Sequence, residues 1–270
     1  MTPPHRRTTL SGLEVWVTGS GAPVTVFAHG LVGSVAETRP FGGGVRGTRV
    51  FFHFRGYGDS PPPPPHWSYD DLAVDLAEVA DATGASRAVG VSLGAGAILR
   101  VVAELPTRFE RLVLVLPAAL DRPQPALVRR RLVAAADAAE AGDLAGLTDA
   151  VLAMQPSTVR TRPEVVAWAE RRARQLLGAS MARALSVAQA FRAFAGQSPL
   201  ADRRVLAACS APTLVLAHES DDAHPVGVAE EVAAALPEGE LDVYAGGGLL
   251  WDHRAAVRER IGAFLNSPDP

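Results

Sequence analysis

A chain of 270 residues that is 48% hydrophobic and 20% charged can bury a full-sized core, as one large domain or one domain with an insertion, which argues against disorder. Its formal charge of −3 leaves no basic field to follow a phosphate backbone, so nucleic acid is set aside as a partner. All 26 basic residues are arginines and Cys209 is the single cysteine, which excludes serine–lysine dyads, Schiff-base chemistry and an internal disulfide.

One cysteine fits a reducing compartment, and placement just before an apolar strand gives Cys209 a packing role. The opening stretch MTPPHRRTTL has no signal-peptide apolar core, and no apolar run is long enough to span a bilayer. The expectation is a cytoplasmic protein with no membrane partner.

In chain order, RRTTL (6–10) and LEVWVTG (13–19) read as an opening hairpin. Strands are then expected at 24–30, 48–56, 86–92, 111–117, 211–217 and 240–246. Several are nearly continuous in Val, Leu and Phe, as strands covered on both faces should be. The proline run at 60–67 reads as a stiff connection. SYDDLAVDLAEVADATG (68–84) reads as a helix with Ser68 as N-cap and Asp71 at the capping-box position. Further helices are expected at 93–106, stopped by Pro106, and at 224–239. Strands alternating with helices predict an α/β fold on a mostly parallel sheet.

From 121 to 202 the strand-like runs disappear, and Ala, Leu and Arg recur at helical spacing in four stretches. Because sheet strands resume afterwards, residues 1–120 and 203–270 read as one core and 121–202 as an inserted helical lid. The arginine clusters at 128–132 and 170–175 read as solvated helix faces.

GVSLGAG (90–96) follows a strand and opens a helix, the context a GxSxG turn requires. Small residues at Gly90 and Gly94 let Ser92 stand on a sharp corner with its hydroxyl exposed. FAHGLVGS (27–34) provides a second turn at a strand end. The amides of Leu31 and Leu93 are candidates to cradle an oxyanion, with turn chemistry alone as the other explanation of the His-Gly pair.

With HGxxG (His29, Gly30, Gly33), RGYGDS (55–60), GxSxG at Ser92, a helical insertion and HESDDAHP (218–225) in this order, the chain resembles the α/β-hydrolase superfamily over essentially its full length. The resemblance implies an α/β-hydrolase fold with a sheet of about eight strands. It also implies a cofactor-free site under the lid and catalytic residues in the order Ser, Asp, His.

In relatives the acid often lies four residues before a proline, which points to Asp221 before Pro225, with Asp222 as the alternative; either could instead cap the following helix. The family histidine would fall at Gly248 or Leu249, where none stands. Among seven histidines, His253 is the leading candidate base because it keeps the family order, and His224 is the next. His253 also reads as a first-turn residue of the last helix beside Asp252, an N-cap candidate. His218 ends the penultimate strand, His29 and His53 support backbone in relatives, and His5 and His66 are poorly placed.

A serine at this turn implies acyl transfer and argues against the aspartate-based epoxide and haloalkane hydrolases of the superfamily. No residues have metal-ligand spacing and no glycine-rich loop fits a dinucleotide. Ala, Val, Leu, Phe191, Phe194 and Trp168 of the lid would favour a small or medium apolar ester, lactone or thioester, unless they form the lid's own core. Carbon–carbon bond hydrolysis and perhydrolysis stand beside esterase activity. The other class of function is ligand binding without turnover, motivated by the missing histidine.

Overall fold

The computed structural model describes residues 6–178 and 181–268. Strands β1 (Arg6–Leu10) and β2 (Leu13–Thr18) form the opening hairpin. β3 (Val24–Ala28) leads through α1 (Val35–Thr38) to β4 (Thr48–Phe52), and α2 (Tyr69–Thr83) leads to β5 (Arg87–Val91). After α3 (Leu93–Glu104) and β6 (Arg111–Val115) come α4 (Ala126–Ala141), α5 (Leu144–Ala153), α6 (Pro163–Leu177) and α7 (Met181–Ala195). The chain then returns to the sheet with β7 (Thr213–His218), α8 (Val226–Ala235), β8 (Gly239–Tyr244) and α9 (Arg254–Leu265).

The eight strands lie in the order β1-β2-β4-β3-β5-β6-β7-β8. Pairing is antiparallel among β1, β2 and β4 and parallel from β4 onward. This is the α/β-hydrolase fold. The interior strands bury side chains on both faces: Val26, Ala28, Val50, Phe52, Ala88 and Leu112 join one apolar cluster, and Phe27, Phe51, Val89 and Val113 the other. That two-sided burial explains the nearly unbroken apolar runs.

α2 starts as the sequence predicts, with the Ser68 amide donating to Asp71 Oδ2 at 2.9 Å, and ends at left-handed Gly84 (φ 66°). The strands differ from expectation at their ends. β3 stops at Ala28 and β4 at Phe52, so His29, Gly30, His53 and the residues after them are loop. α8 begins at Val226, which leaves His224 in the loop after β7. These C-terminal strand ends are where an open parallel sheet presents a site.

The arginine clusters also differ from expectation. Arg129 and Arg130 are exposed, but Arg131 on α4 donates to Asp222 at 3.2 Å. Arg172 on α6 crosses to the loop after β3, where its Nη2 donates to the Val32 carbonyl. Helical periodicity marks which side of a helix is polar; it does not show that a polar side reaches another part of the chain.

Candidate active site

β5 is central, paired with β3 and β6, and Ser92 is the first residue beyond it. Ser92 has φ 52° and ψ −106°, a region that costs a non-glycine residue energy and persists only where its surroundings enforce it. The Ser92 amide donates to the Val115 carbonyl at 2.8 Å, and its own carbonyl accepts from Gly96 N at 3.1 Å. The flanking glycines are required by crowding: a Cβ on Gly90 would lie 2.4 Å from the Gly94 carbonyl oxygen, and one on Gly94 would lie 2.4 Å from that of Ala28. The turn therefore presses strand against helix and leaves the serine side chain on the corner.

The imidazole beside it comes from the loop after β7. His224 Nε2 lies 2.9 Å from Ser92 Oγ, and His224 Nδ1 lies 2.9 Å from Asp221 Oδ2. Asp221 also organises its own loop, because its Oδ1 accepts the amides of Ala223 at 3.0 Å and His224 at 3.1 Å. Burial raises the carboxyl's pKa, but the charge of His224 and these hydrogen bonds outweigh it, so Asp221 is held below its ordinary value. An ionised Asp221 accepts, which places the ring proton on Nδ1 and leaves the Nε2 lone pair facing the serine hydroxyl.

His253, the leading sequence candidate for the base, is not brought to this contact. It is the N-cap of α9, with Nε2 2.9 Å from the Ala245 carbonyl and its ring beside Tyr244 at 5.2 Å. The expected N-cap, Asp252, instead forms a bidentate pair with Arg162, the N-cap of α6, at 2.6 and 2.8 Å. Leading into the usual histidine position, Gly248 or Leu249, residues Gly246, Gly247 and Gly248 have φ of 66°, 59° and 87°, a run of left-handed residues that suits glycine. Gly248 N donates to Nε2 of buried His218 at 2.5 Å, and Leu249 is buried in the core.

The remaining acid and base candidates also have other partners. Asp222 is held outward by Arg131 and Arg160, at 3.2 and 3.3 Å. His53 contacts Glu14 at 2.8 Å and accepts from the Val35 amide at 3.1 Å. His66 is exposed, and His5 lies outside the described residues. Family order pointed to the loop before α9, whereas the imidazole that reaches Ser92 comes from the loop after β7. The signal that did exist was the spacing Asp221-x-x-His224.

The HGxxG turn is wired to the core. Fully buried His29 accepts from the Phe54 amide at Nε2, 3.2 Å, so its Nδ1 carries the proton and donates to the Gly30 carbonyl at 2.8 Å. That carbonyl also accepts from Gly33 N at 2.9 Å. With its oxygen held by two donors, the Gly30–Leu31 peptide has a fixed plane, and its N–H points the opposite way. A Cβ on Gly33 would come within 2.7 Å of the Gly30 oxygen, so the turn needs glycine there. RGYGDS is structural support: Arg55 Nε donates to buried Asp75 at 2.9 Å and Asp59 N to Glu14 at 2.8 Å.

Ser92, Leu93 and Leu31 border one pocket together with Tyr69, Ala118, Ala119, Gln124, Phe194 and Gln197. Of the three aromatics of the 121–202 insertion that could line the site or form the insertion's own core, only Phe194 borders this pocket. Phe191 is wholly within the core, and Trp168 packs edge-on against Trp251 at 5.6 Å. Gln124 and Gln197 had no periodic or motif signal in the sequence. Free space in the pocket is ≈ 20 Å³, about what one water occupies. Among the described residues, no group of three or more His, Cys, Asp or Glu could hold a metal ion, and no helix is long and apolar enough to cross a membrane.

The sequence profile of the alpha/beta hydrolase family matches residues 25–260, and the chain belongs to that family. Among solved structures it is similar to an alpha/beta hydrolase enzyme from a Medee basin deep-sea metagenome library, with a TM-score of 0.80, 16% identity and 98% of each chain covered. It is also similar to the enol-lactonase from Burkholderia xenovorans, with a TM-score of 0.76 and 21% identity, covering 97% of this chain and 100% of that one. An esterase from Exiguobacterium antarcticum follows at 0.73 and 19%, covering 99% and 100%. No curated protein matches the chain.

Proposed function

We propose that this protein is a serine hydrolase that cleaves a small or medium apolar ester, lactone or thioester through an acyl-enzyme. The observation that carries this reading is the relay Asp221–His224–Ser92, two consecutive contacts of 2.9 Å. His224 Nε2 takes the hydroxyl proton as Ser92 Oγ attacks the carbonyl carbon, and Asp221 stabilises the imidazolium that forms. The carbonyl oxygen gathers negative charge between the Leu31 and Leu93 amides; Leu93 opens α3, whose first N–H groups have no partner within the helix. The imidazolium then protonates the departing alcohol, thiol or ring oxygen. A water, deprotonated by the same ring, releases the acid and restores Ser92. No step requires a cofactor.

The substrate class follows from the pocket wall. Leu31, Leu93, Ala118, Ala119 and Phe194 favour an apolar acyl group, while Gln124 and Gln197 provide polar groups for orientation. With room for about one water, the segment α4–α7 acts as a lid that must shift to admit substrate. Lactonase and esterase structures of the same fold agree with this chemistry. Binding without turnover was motivated by the missing histidine at Gly248; the His224 ring 2.9 Å from Ser92 Oγ supports turnover instead.

A fluorophosphonate probe tests the reading. Rapid labelling that disappears in Ser92→Ala, with hydrolysis of p-nitrophenyl acetate lost in the same variant, supports it. An unreactive Ser92 in the folded native protein would overturn it.

A further inference from the structure

The turn that carries Leu31 is held from two directions. Val32 has φ 46°, a left-handed conformation that a β-branched residue adopts only when neighbouring groups hold it there. On the core side, its amide donates to the Tyr57 hydroxyl at 3.2 Å. From the other side, Arg172 of α6 donates through Nη2 to the Val32 carbonyl. The same guanidinium lies across Glu37 of α1, Nε to Oε1 at 3.2 Å. Arg172 thus spans the two ends of the 32–37 segment from a helix that belongs to the insertion.

Resting on the hydrolase reading above, we infer that Arg172 is a positioning residue: when α6 is docked, its guanidinium locks Val32 in the left-handed form and so aims the Leu31 amide at the developing oxyanion. The Val32 N–H and C=O flank a single residue. With both held, Val32 cannot return to an ordinary negative φ without breaking one of the bonds. Losing the carbonyl bond lets the turn relax: Gly33 N, one of the two donors that fix the Gly30 carbonyl, shifts with it, and the Leu31 N–H of the same peptide loses its aim. A donor that must point at charge appearing only in the transition state is sensitive to such rotation, whereas ground-state binding is not. Lid docking and completion of the oxyanion site are therefore one event.

The test combines kinetics with hydrogen exchange on the full chain. In Arg172→Ala, kcat for p-nitrophenyl acetate should fall about tenfold while KM changes less than about twofold. Amide exchange in residues 30–35 should accelerate in the same variant. Arg172→Lys, which keeps a donor and a charge beside Glu37, should recover most of the loss. Arg174→Ala, an exposed neighbour on α6, should match the native protein. In a Val32→Gly background the strain is absent, so adding Arg172→Ala should cost less than about threefold.

Unchanged exchange in residues 30–35, or an Arg172→Ala loss that appears wholly in KM, would overturn the inference. So would an equal loss in the Val32→Gly background. Failure of the native protein to turn over or to label at Ser92 would overturn the hydrolase reading, and it is distinguishable because the exchange measurement does not depend on turnover. Faster exchange with kcat unaltered would overturn the catalytic coupling specifically.

Discussion

Asp221 holds His224 twice, by the ring nitrogen at 2.9 Å and by the backbone amide at 3.1 Å. The carboxylate therefore sets both the tautomer of the ring and the path of the chain that presents it. Replacing Asp221 by Asn keeps the shape but lets an amide N–H face Nδ1, favouring the wrong tautomer. We expect kcat to fall by about 10³–10⁴, with native secondary structure retained by circular dichroism.

The same carboxylate makes stability depend on pH. Its folded pKa lies below the ordinary 3.8, so it contributes stability that is present above 3.8 and is lost as pH falls through the folded value. Acid unfolding of the native protein and of Asp221→Asn, followed by tryptophan fluorescence, should show this contribution only in the native protein. Parallel curves below pH 4 would contradict the assignment.

The two histidines competing for the role of base separate cleanly. His224→Ala should lose at least about 10³ in kcat. His253→Ala should keep turnover within about threefold and lose about 1 kcal/mol of stability with its Ala245 contact. The reverse pattern in steady-state kinetics would transfer the base to the α9 N-cap.

Glycines at the nucleophile turn and elsewhere should respond oppositely to alanine. Gly94→Ala drives a Cβ to 2.4 Å from the Ala28 oxygen and should destabilise by about 1–3 kcal/mol or more. Gly227, exposed in the first turn of α8 with nothing within 4 Å of a built Cβ, should gain about 0.5–1 kcal/mol as alanine. Urea midpoints measure both.

Phe194 closes the pocket and is buried against Trp67 and Tyr69, with ring centroids at 5.2 and 5.3 Å. Phe194→Ala should cost about 3–5 kcal/mol and raise kcat/KM for p-nitrophenyl hexanoate relative to the acetate. An unaltered chain-length preference would place the acyl group elsewhere.

The fold was legible because its signals are local and repeated: apolar strand runs, the Ser68–Asp71 cap, and GxSxG between a strand and a helix. Ser92 was legible for the same reason, since Gly90 and Gly94 answer a steric demand that only glycine meets. The contact of His224 with Ser92 was harder to read, because it depends on which loop approaches Ser92 in space, and family order pointed to the β8–α9 turn. Arg131 and Arg172 were misread as solvated because helical spacing does not reveal a long side chain crossing to another segment. Gln124 and Gln197 carry no pattern at all; only the folded chain brings them beside the serine.

Placing carboxylate and imidazole three positions apart on one connection has a geometric consequence. In an arrangement built from two connections, three separate segments must arrive in register with one another. Here a rigid displacement of the 221–224 stretch alters a single separation, that to the alcohol, and leaves the ring's own alignment untouched. The glycine-rich bend at 246–248 brings no imidazole to the alcohol, and its composition answers to three positive φ angles and to the His218 ring beside it.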